Sequence, residues 1–119
     1  MHRLVLVSIL VAAAACSRTG QGAGVRTDVT ARMASIQEPI TKCYADALQR
    51  NRKLRGMMVV MFRAASGSGQ FGDLTVARDE PGDLPLRQCV LGEIGKLKLA
   101  TPQRTSIDVS YPINFQPTK

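Results

Sequence analysis

The chain has 119 residues, of which 45% are hydrophobic, and it carries 16 Lys and Arg against 9 Asp and Glu, a net charge of +7. That length suits one small domain. Its one histidine, His2, lies in a segment that we expect to be removed. The mature chain would then have no histidine, which excludes Ser-His-Asp and Cys-His catalysis. We therefore predict a protein that is not an enzyme and binds no cofactor and no metal.

The positive charge raises the question of nucleic acid binding. The basic residues are scattered, apart from Arg50, Arg52, Lys53 and Arg55. This group follows a predicted helix, where cations complement the carbonyl end of the helix dipole. We interpret it as a solvated helix end and expect no nucleic acid partner.

The N-terminus has the pattern of an export signal. A basic start at His2 and Arg3 precedes the apolar run Leu4 to Ala15. A helix of this run reaches about 18 Å, against about 30 Å of membrane hydrocarbon, so it is too short to span a bilayer. Residues 1–15 are therefore predicted to be a signal peptide.

Cys16 follows three small residues, Ala13 to Ala15, as in a bacterial lipoprotein cleavage box. We predict that Cys16 is the lipid attachment site. Ser17, by its resemblance to other lipoproteins, permits sorting to the outer membrane. The expected location is the cell envelope, with the protein anchored by lipid and facing the periplasm. The alternative is an ordinary cleaved signal with Cys16 merely near the cut.

Residues 16–28 are mostly small and polar and are predicted to form a flexible tether, followed by a domain over residues 29–119. Apolar residues then recur at helical spacing: Val29, Met33, Ile36, Ile40, Cys43, Tyr44, Ala47 and Leu48. Pro39 must either kink this helix or lie in its first turn. Ser35 to Glu38 has capping-box spacing, so the start of the helix remains open.

Two strands and a hairpin are predicted next. The run MMVVMF and the residues that follow it form one strand, and FGDLTVARD, with Leu74 and Val76 alternating, forms the other. The connecting SGSG supplies glycines for a turn. It has no GK[ST] after it, so a turn is favoured over a phosphate-binding loop.

A second helix is predicted from Leu86, with the stripe Leu86, Cys89, Val90, Ile94 and Leu97. Asp79, Glu80 and Asp83 precede it. These acidic residues lack a calcium-loop pattern, so we assign them to a turn and to the helix N-terminus, with Asp83 as the cap.

The last strand has the clearest alternation. Its apolar residues fill the odd positions from Ile107 to Phe115, which predicts one buried face and one wet face. Pro112 cannot donate a ladder hydrogen bond, so this strand is expected at a sheet edge.

Cys43 and Cys89 remain as a pair in an exported chain, and such a pair is most simply a disulfide. They lie on the apolar stripes of the two helices. A bond between them therefore requires both helices to pack on one face of the sheet. Two thiols without histidine are too few for a metal site.

The segments ITKCYADALQRNRKLRG, MVVMF, DLPLRQCV and VSYPINFQP resemble the AgmX/PglI C-terminal domain, a domain with a TonB-like C-terminal fold. The resemblance covers about Ile36 to Pro117. It implies an α+β two-layer domain with the order α-β-β-α-β, in which a three-stranded antiparallel sheet has both helices on one face. It also implies that the last strand, Thr105 to Phe115, accepts an extended peptide from a partner.

The function predicted from these features is a lipid-anchored periplasmic interaction module of an envelope or motility-type assembly. The alternative is a passive structural envelope lipoprotein that recognises no peptide. If Arg63 points to water, Met57, Val59 and Met61 share its face and form a partner surface with Tyr111 and Phe115. The competing interpretation is that a tether, a tail or a dimer mate covers them. The partner, an envelope protein, and the oligomeric state are not identified by the sequence.

Overall fold

Three helices and three strands form residues 23–117, which are the residues that the computed structural model describes. In chain order they are α1 (Ala23–Ser35), α2 (Gln37–Arg50), β1 (Gly56–Ala64), β2 (Phe71–Asp79), α3 (Leu84–Ile94) and β3 (Ile107–Phe115). The predicted signal peptide and Cys16 lie outside these residues.

The strands form one antiparallel sheet in the order β2-β1-β3. The predicted α+β class with a three-stranded antiparallel sheet is therefore confirmed. The last strand lies at a sheet edge, as Pro112 indicated. β1 and β3 pair without a bulge from Gly56–Phe115 to Ala64–Ile107.

The helices differ from the predicted order. The single apolar stripe that was predicted as one helix is divided between α1 and α2 at Ile36. The capping box does not form, because the Ser35 hydroxyl donates back to the Arg32 carbonyl and Ile36 caps α2 without a side-chain bond. Pro39 lies in the first turn of α2, where no intrahelical N–H is needed.

The predicted tether is wrong over residues 23–28, which belong to α1. Val25 is 8% exposed and Val29 1%, so this segment packs against the core. The Asp28 carboxylate accepts from the backbone N–H groups of Ala100 and Thr101 at 3.0 and 2.9 Å. These contacts join α1 to the segment before β3 and hold it in place.

The core lies between the helices and one face of the sheet. That face carries the even residues of β1 from Met58 to Ala64 and the odd residues of β3, all buried. Tyr44 of α2 contacts Phe115 with 5.0 Å between ring centroids, and the end of α3 at Gly95 approaches Leu74 of β2. The helices therefore cover one face and leave the other open.

The predicted disulfide is present between Cys43 and Cys89. It joins α2 to α3 with 5.8 Å between the two Cα atoms, across 46 positions of sequence. Closing a loop of that length contributes about 4 kcal/mol in the chain-entropy model. For so small a domain this is a large share of the net stability.

The predicted turn chemistry also agrees with the structure. Gly67 and Gly69 of the hairpin have φ of 78° and 72°, the left-handed region that glycine tolerates best. Asp83 caps α3 by accepting from the Leu86 N–H at 3.0 Å. Asp79 accepts from the Gly82 N–H, so it stabilises the turn.

Within residues 23–117 no group of three His, Cys, Asp or Glu side chains is placed to hold a metal ion.

Candidate partner-binding surface

The open face of the sheet carries an apolar row along its central strand. Met57, Val59 and Met61 alternate with the buried residues of β1 and lie on the same side as Arg63. Met61 is 43% exposed, and Met57 and Val59 are half-buried. An exposed apolar row on a sheet face is a feature of interaction surfaces. We call these three residues the methionine row.

The row continues onto β3. Asn114, Pro112 and Ser110 are the register partners of Met57, Val59 and Met61. Directly opposed residues project from the same side of a sheet, so these three residues extend the open face to its edge. All three are half-buried.

Tyr111 and Phe115 do not belong to this surface. Tyr111 is 3% exposed and Phe115 is 0% exposed, because the odd residues of β3 oppose the buried residues of β1. The prediction that they form one docking surface with Met57, Val59 and Met61 is therefore wrong, because their side chains lie on the other face of the sheet. The odd positions are the buried face that the alternation itself indicated.

One end of the methionine row is bordered by ion pairs that the sequence reasoning missed. The Arg63 guanidinium donates to the Asp108 carboxylate at 2.7 Å, and Asp73 lies 4.0 Å away. The hydrogen bond and the charge of Asp108 raise the pKa of Arg63 above its ordinary value. These residues come from three strands, and only the sheet register could have brought them together.

The other end is bordered by Glu80, just after β2. Its carboxylate accepts from the Met57 N–H at 2.7 Å and pairs with Arg78. The backbone hydrogen bond, followed by the hydrogen bond from Arg78, lowers the pKa of Glu80. The methionine row is therefore an apolar surface closed by charged groups at both ends.

Within residues 23–117 no strand pairs with the outer side of β3, and the direction of its backbone groups follows from the pairing of β1. The Met57 carbonyl accepts from the Glu80 N–H at 3.0 Å, so the odd residues of β1 bond toward β2. The even residues of β1 then bond toward the odd residues of β3. The N–H and C=O groups of Ser110, Pro112 and Asn114 consequently point outward, except that proline has no N–H.

The opposite edge of the sheet is less regular. The pairing of β2 with β1 shifts register twice, between Val59 and Val60 and between Met61 and Arg63. Asp73 of β2 has φ of 51°. Bulges twist an edge and disfavour addition of a further strand. Of the two edges, β3 is therefore the one suited to pairing.

A small cleft adjoins the β3 edge on the helix side. It has about 60 Å³ of open space and a mostly apolar lining. The helices supply Thr30, Met33 and Ala34 from α1 and Gln37 and Ile40 from α2, and β3 supplies Tyr111 and Ile113. No residue of β1 or β2 lines it, so it lies at the border of the sheet. We call it the edge cleft.

Comparisons with protein-family models, with curated proteins and with solved structures found no match to this chain. The resemblance to the AgmX/PglI C-terminal domain therefore stays a prediction. Among the described residues, none of the helices is long and apolar enough to cross a membrane.

Proposed function

We propose that this chain is a lipid-anchored periplasmic interaction module of an envelope or motility-type assembly, and that it captures its partner by strand addition at β3. The partner is an envelope protein that offers an extended segment. Cys16 is the lipid attachment site in this proposal, and the domain of TonB-like, AgmX/PglI type lies on the periplasmic side, at the outer membrane.

The observation that carries the proposal is the state of the two sheet edges. β3 is nine residues long and pairs with β1 without a register shift, and the backbone groups of Ser110, Pro112 and Asn114 point outward. An added strand gains main-chain hydrogen bonds there without displacing any bond of the sheet. The bulged edge of β2 offers no comparable row.

The methionine row supports the same assignment. A strand added beside β3 would extend the open face next to Ser110 and Pro112, and a partner could then also cover Met61. Methionine is flexible and polarisable, so it adapts to differently shaped partners. Backbone pairing and side-chain contact would thus occur on one continuous surface.

Photo-cross-linking in the native envelope tests the proposal. Ser110 of β3 and Thr75 of β2 are both paired with Met61, on opposite sides of it, so they form a matched pair of positions on the open face. A photoreactive amino acid at position 110 is expected to give one dominant protein adduct, whose cross-linked segment is found by mass spectrometry. The same amino acid at position 75 is expected to give little.

Equal adducts at both positions would mean that the partner covers the open face without adding to the edge. No adduct at either position would contradict the proposal and favour the passive structural role. Pro112 is the observation that favours that second candidate, because an edge proline removes a donor and protects against pairing.

A further inference from the structure

We propose that the edge cleft is a side-chain pocket for the strand that adds to β3, and that it selects one aliphatic residue, of valine, leucine or methionine type, in the partner segment. This inference rests on the proposed function. It concerns specificity, which backbone pairing alone does not supply.

The position of the cleft follows from the division between α1 and α2. Ile36 lies between the helices, and Met33 and Ile40 on either side of it are both buried. Ala34 and Gln37, which also line the cleft, have exposed side chains, so they lie where it meets solvent. A partner side chain can therefore enter past Ala34 and contact Met33 and Ile40.

The register explains how an added strand would reach the cleft. Partner residues opposite Tyr111 or Ile113 project to the helix side, because opposed residues share a face. Those two residues are the ones that β3 contributes to the cleft. Partner residues opposite Ser110, Pro112 and Asn114 project to the open face instead. Alternate residues of the partner thus meet two different surfaces.

The size of the cleft decides which side chain it accepts. Its open space of about 60 Å³ is well below the roughly 150 Å³ of an engineered cavity that binds benzene. The cleft is therefore small and meets solvent at Ala34, so it has room for one aliphatic side chain of a strand that lies beside β3. The apolar lining gives no partner to a buried charge, so a charged residue is rejected.

Defined peptides test this inference. The probe is a decapeptide of alternating threonine and serine with one central guest residue, which is alanine, valine, leucine, methionine or aspartate. Binding to the oxidised domain is followed by NMR, through the amides of Ser110 and Asn114 and the methyl groups of Met33 and Ile113. We expect leucine, methionine or valine to bind at least about fivefold more tightly than alanine or aspartate, with shifts at both methyl groups.

A cleft-filling variant supplies the control. Ala34→Phe puts a ring into the cleft from an exposed helix position, and Ala31→Phe puts the same ring on an exposed position of α1 outside it. The guest preference should disappear in Ala34→Phe and persist in Ala31→Phe. Equal binding of all guests at the β3 amides would overturn the pocket and leave strand addition intact. If no peptide shifts the amides of Ser110 and Asn114, the result contradicts strand addition and therefore also the proposed pocket.

Discussion

At the residue scale, an odd or even position in a strand decides which face of the sheet a side chain lies on. Met57, Val59 and Met61 lie on the open face, whereas Tyr111 and Phe115 lie in the core. An exposed apolar side chain contributes little to the free energy of folding but is available for contact with a partner. A buried apolar side chain contributes mainly to the free energy of folding. Substitutions in the two groups should therefore separate binding from stability.

Replacing Met57 and Met61 with lysine should reduce partner capture at least about tenfold and leave the thermal transition nearly unchanged. The reason is that two charges would be desolvated under a docked partner, whereas in the free domain the long lysine stems can carry them into water. Capture is measured by co-purification of the cross-linked partner, and stability by circular dichroism. Thr75→Lys, on the same face but outside the methionine row, is the control. A large fall in melting temperature would instead place both methionines in the core.

Asp83 illustrates a residue whose charge acts on stability. It caps α3 through the Leu86 N–H and pairs with Arg50 of α2 at 2.5 Å. The hydrogen bond from Arg50 is the main cause that lowers the pKa of Asp83, and the capping N–H adds to it. Asp83→Ala should lower the free energy of unfolding by about 1 kcal/mol, the usual effect of losing an N-cap.

The pH dependence of Asp83 has a definite sign. Because its folded pKa is lowered, the contribution of its charge is complete above the unfolded pKa of about 3.9 and is lost as pH falls through the folded value. Asp83→Asn keeps a capping oxygen without the charge. Urea titrations should show the wild type more stable than Asp83→Asn at pH 7 and equal to it once the pH lies below the folded pKa of Asp83. A difference that persists in acid would assign the effect to something other than this carboxylate.

At the element scale, several features could be read from local patterns, whereas others depend on distant contacts. The odd-position alternation of β3, the glycines of the hairpin and the Asp83 cap were all readable from neighbouring residues. The start of α1 could not be read from neighbouring residues, because Asp28 is held by backbone groups more than seventy positions away. The edge cleft also depends on tertiary packing, since its lining comes from α1, α2 and β3.

The edge of β3 can be changed without disturbing the ladder. The Ser110 N–H points outward, so Ser110→Pro removes a second edge donor while the bonds to β1 remain. Partner affinity should fall by roughly two- to tenfold, the effect of one net hydrogen bond. Pro112→Thr restores a donor at the centre of the edge and should raise affinity by a similar factor. Titrating the identified partner segment into each variant by calorimetry measures both effects. If neither substitution changes the affinity, the partner does not use the backbone of β3.

At the scale of the whole molecule, the helices of one disulfide-linked domain cover one sheet face, and no helix or strand of residues 23–117 covers the other face or the outer edge of β3. α1 extends this domain toward the N-terminus as far as Ala23. In the proposed architecture the segment from Cys16 to Gly22 connects the lipid to Ala23, the first residue that the structure describes.

Replacing Cys16 with serine should move the protein from the membrane pellet to the soluble periplasmic fraction. The reason is that lipoprotein processing supplies several acyl chains, and one chain alone binds membranes only marginally. Fractionation with immunoblotting and intact-mass analysis of the wild type are the measurements, and the oxidised Cys43–Cys89 bridge serves as the folding control. Retention of Cys16→Ser in the pellet, with an unlipidated wild-type mass, would contradict the anchor.

Amide hydrogen exchange of β3, with and without the cross-linked partner segment, tests the central claim most directly. In the free domain the outward amides of Ser110 and Asn114 should exchange fast, while those of Val109, Tyr111 and Ile113, which face β1, should be protected. Strand addition predicts that the partner segment protects Ser110 and Asn114 at least about tenfold and changes the inward amides little. If both outward amides still exchange fast when the segment is bound, the partner does not pair with this edge and the account of strand addition is contradicted.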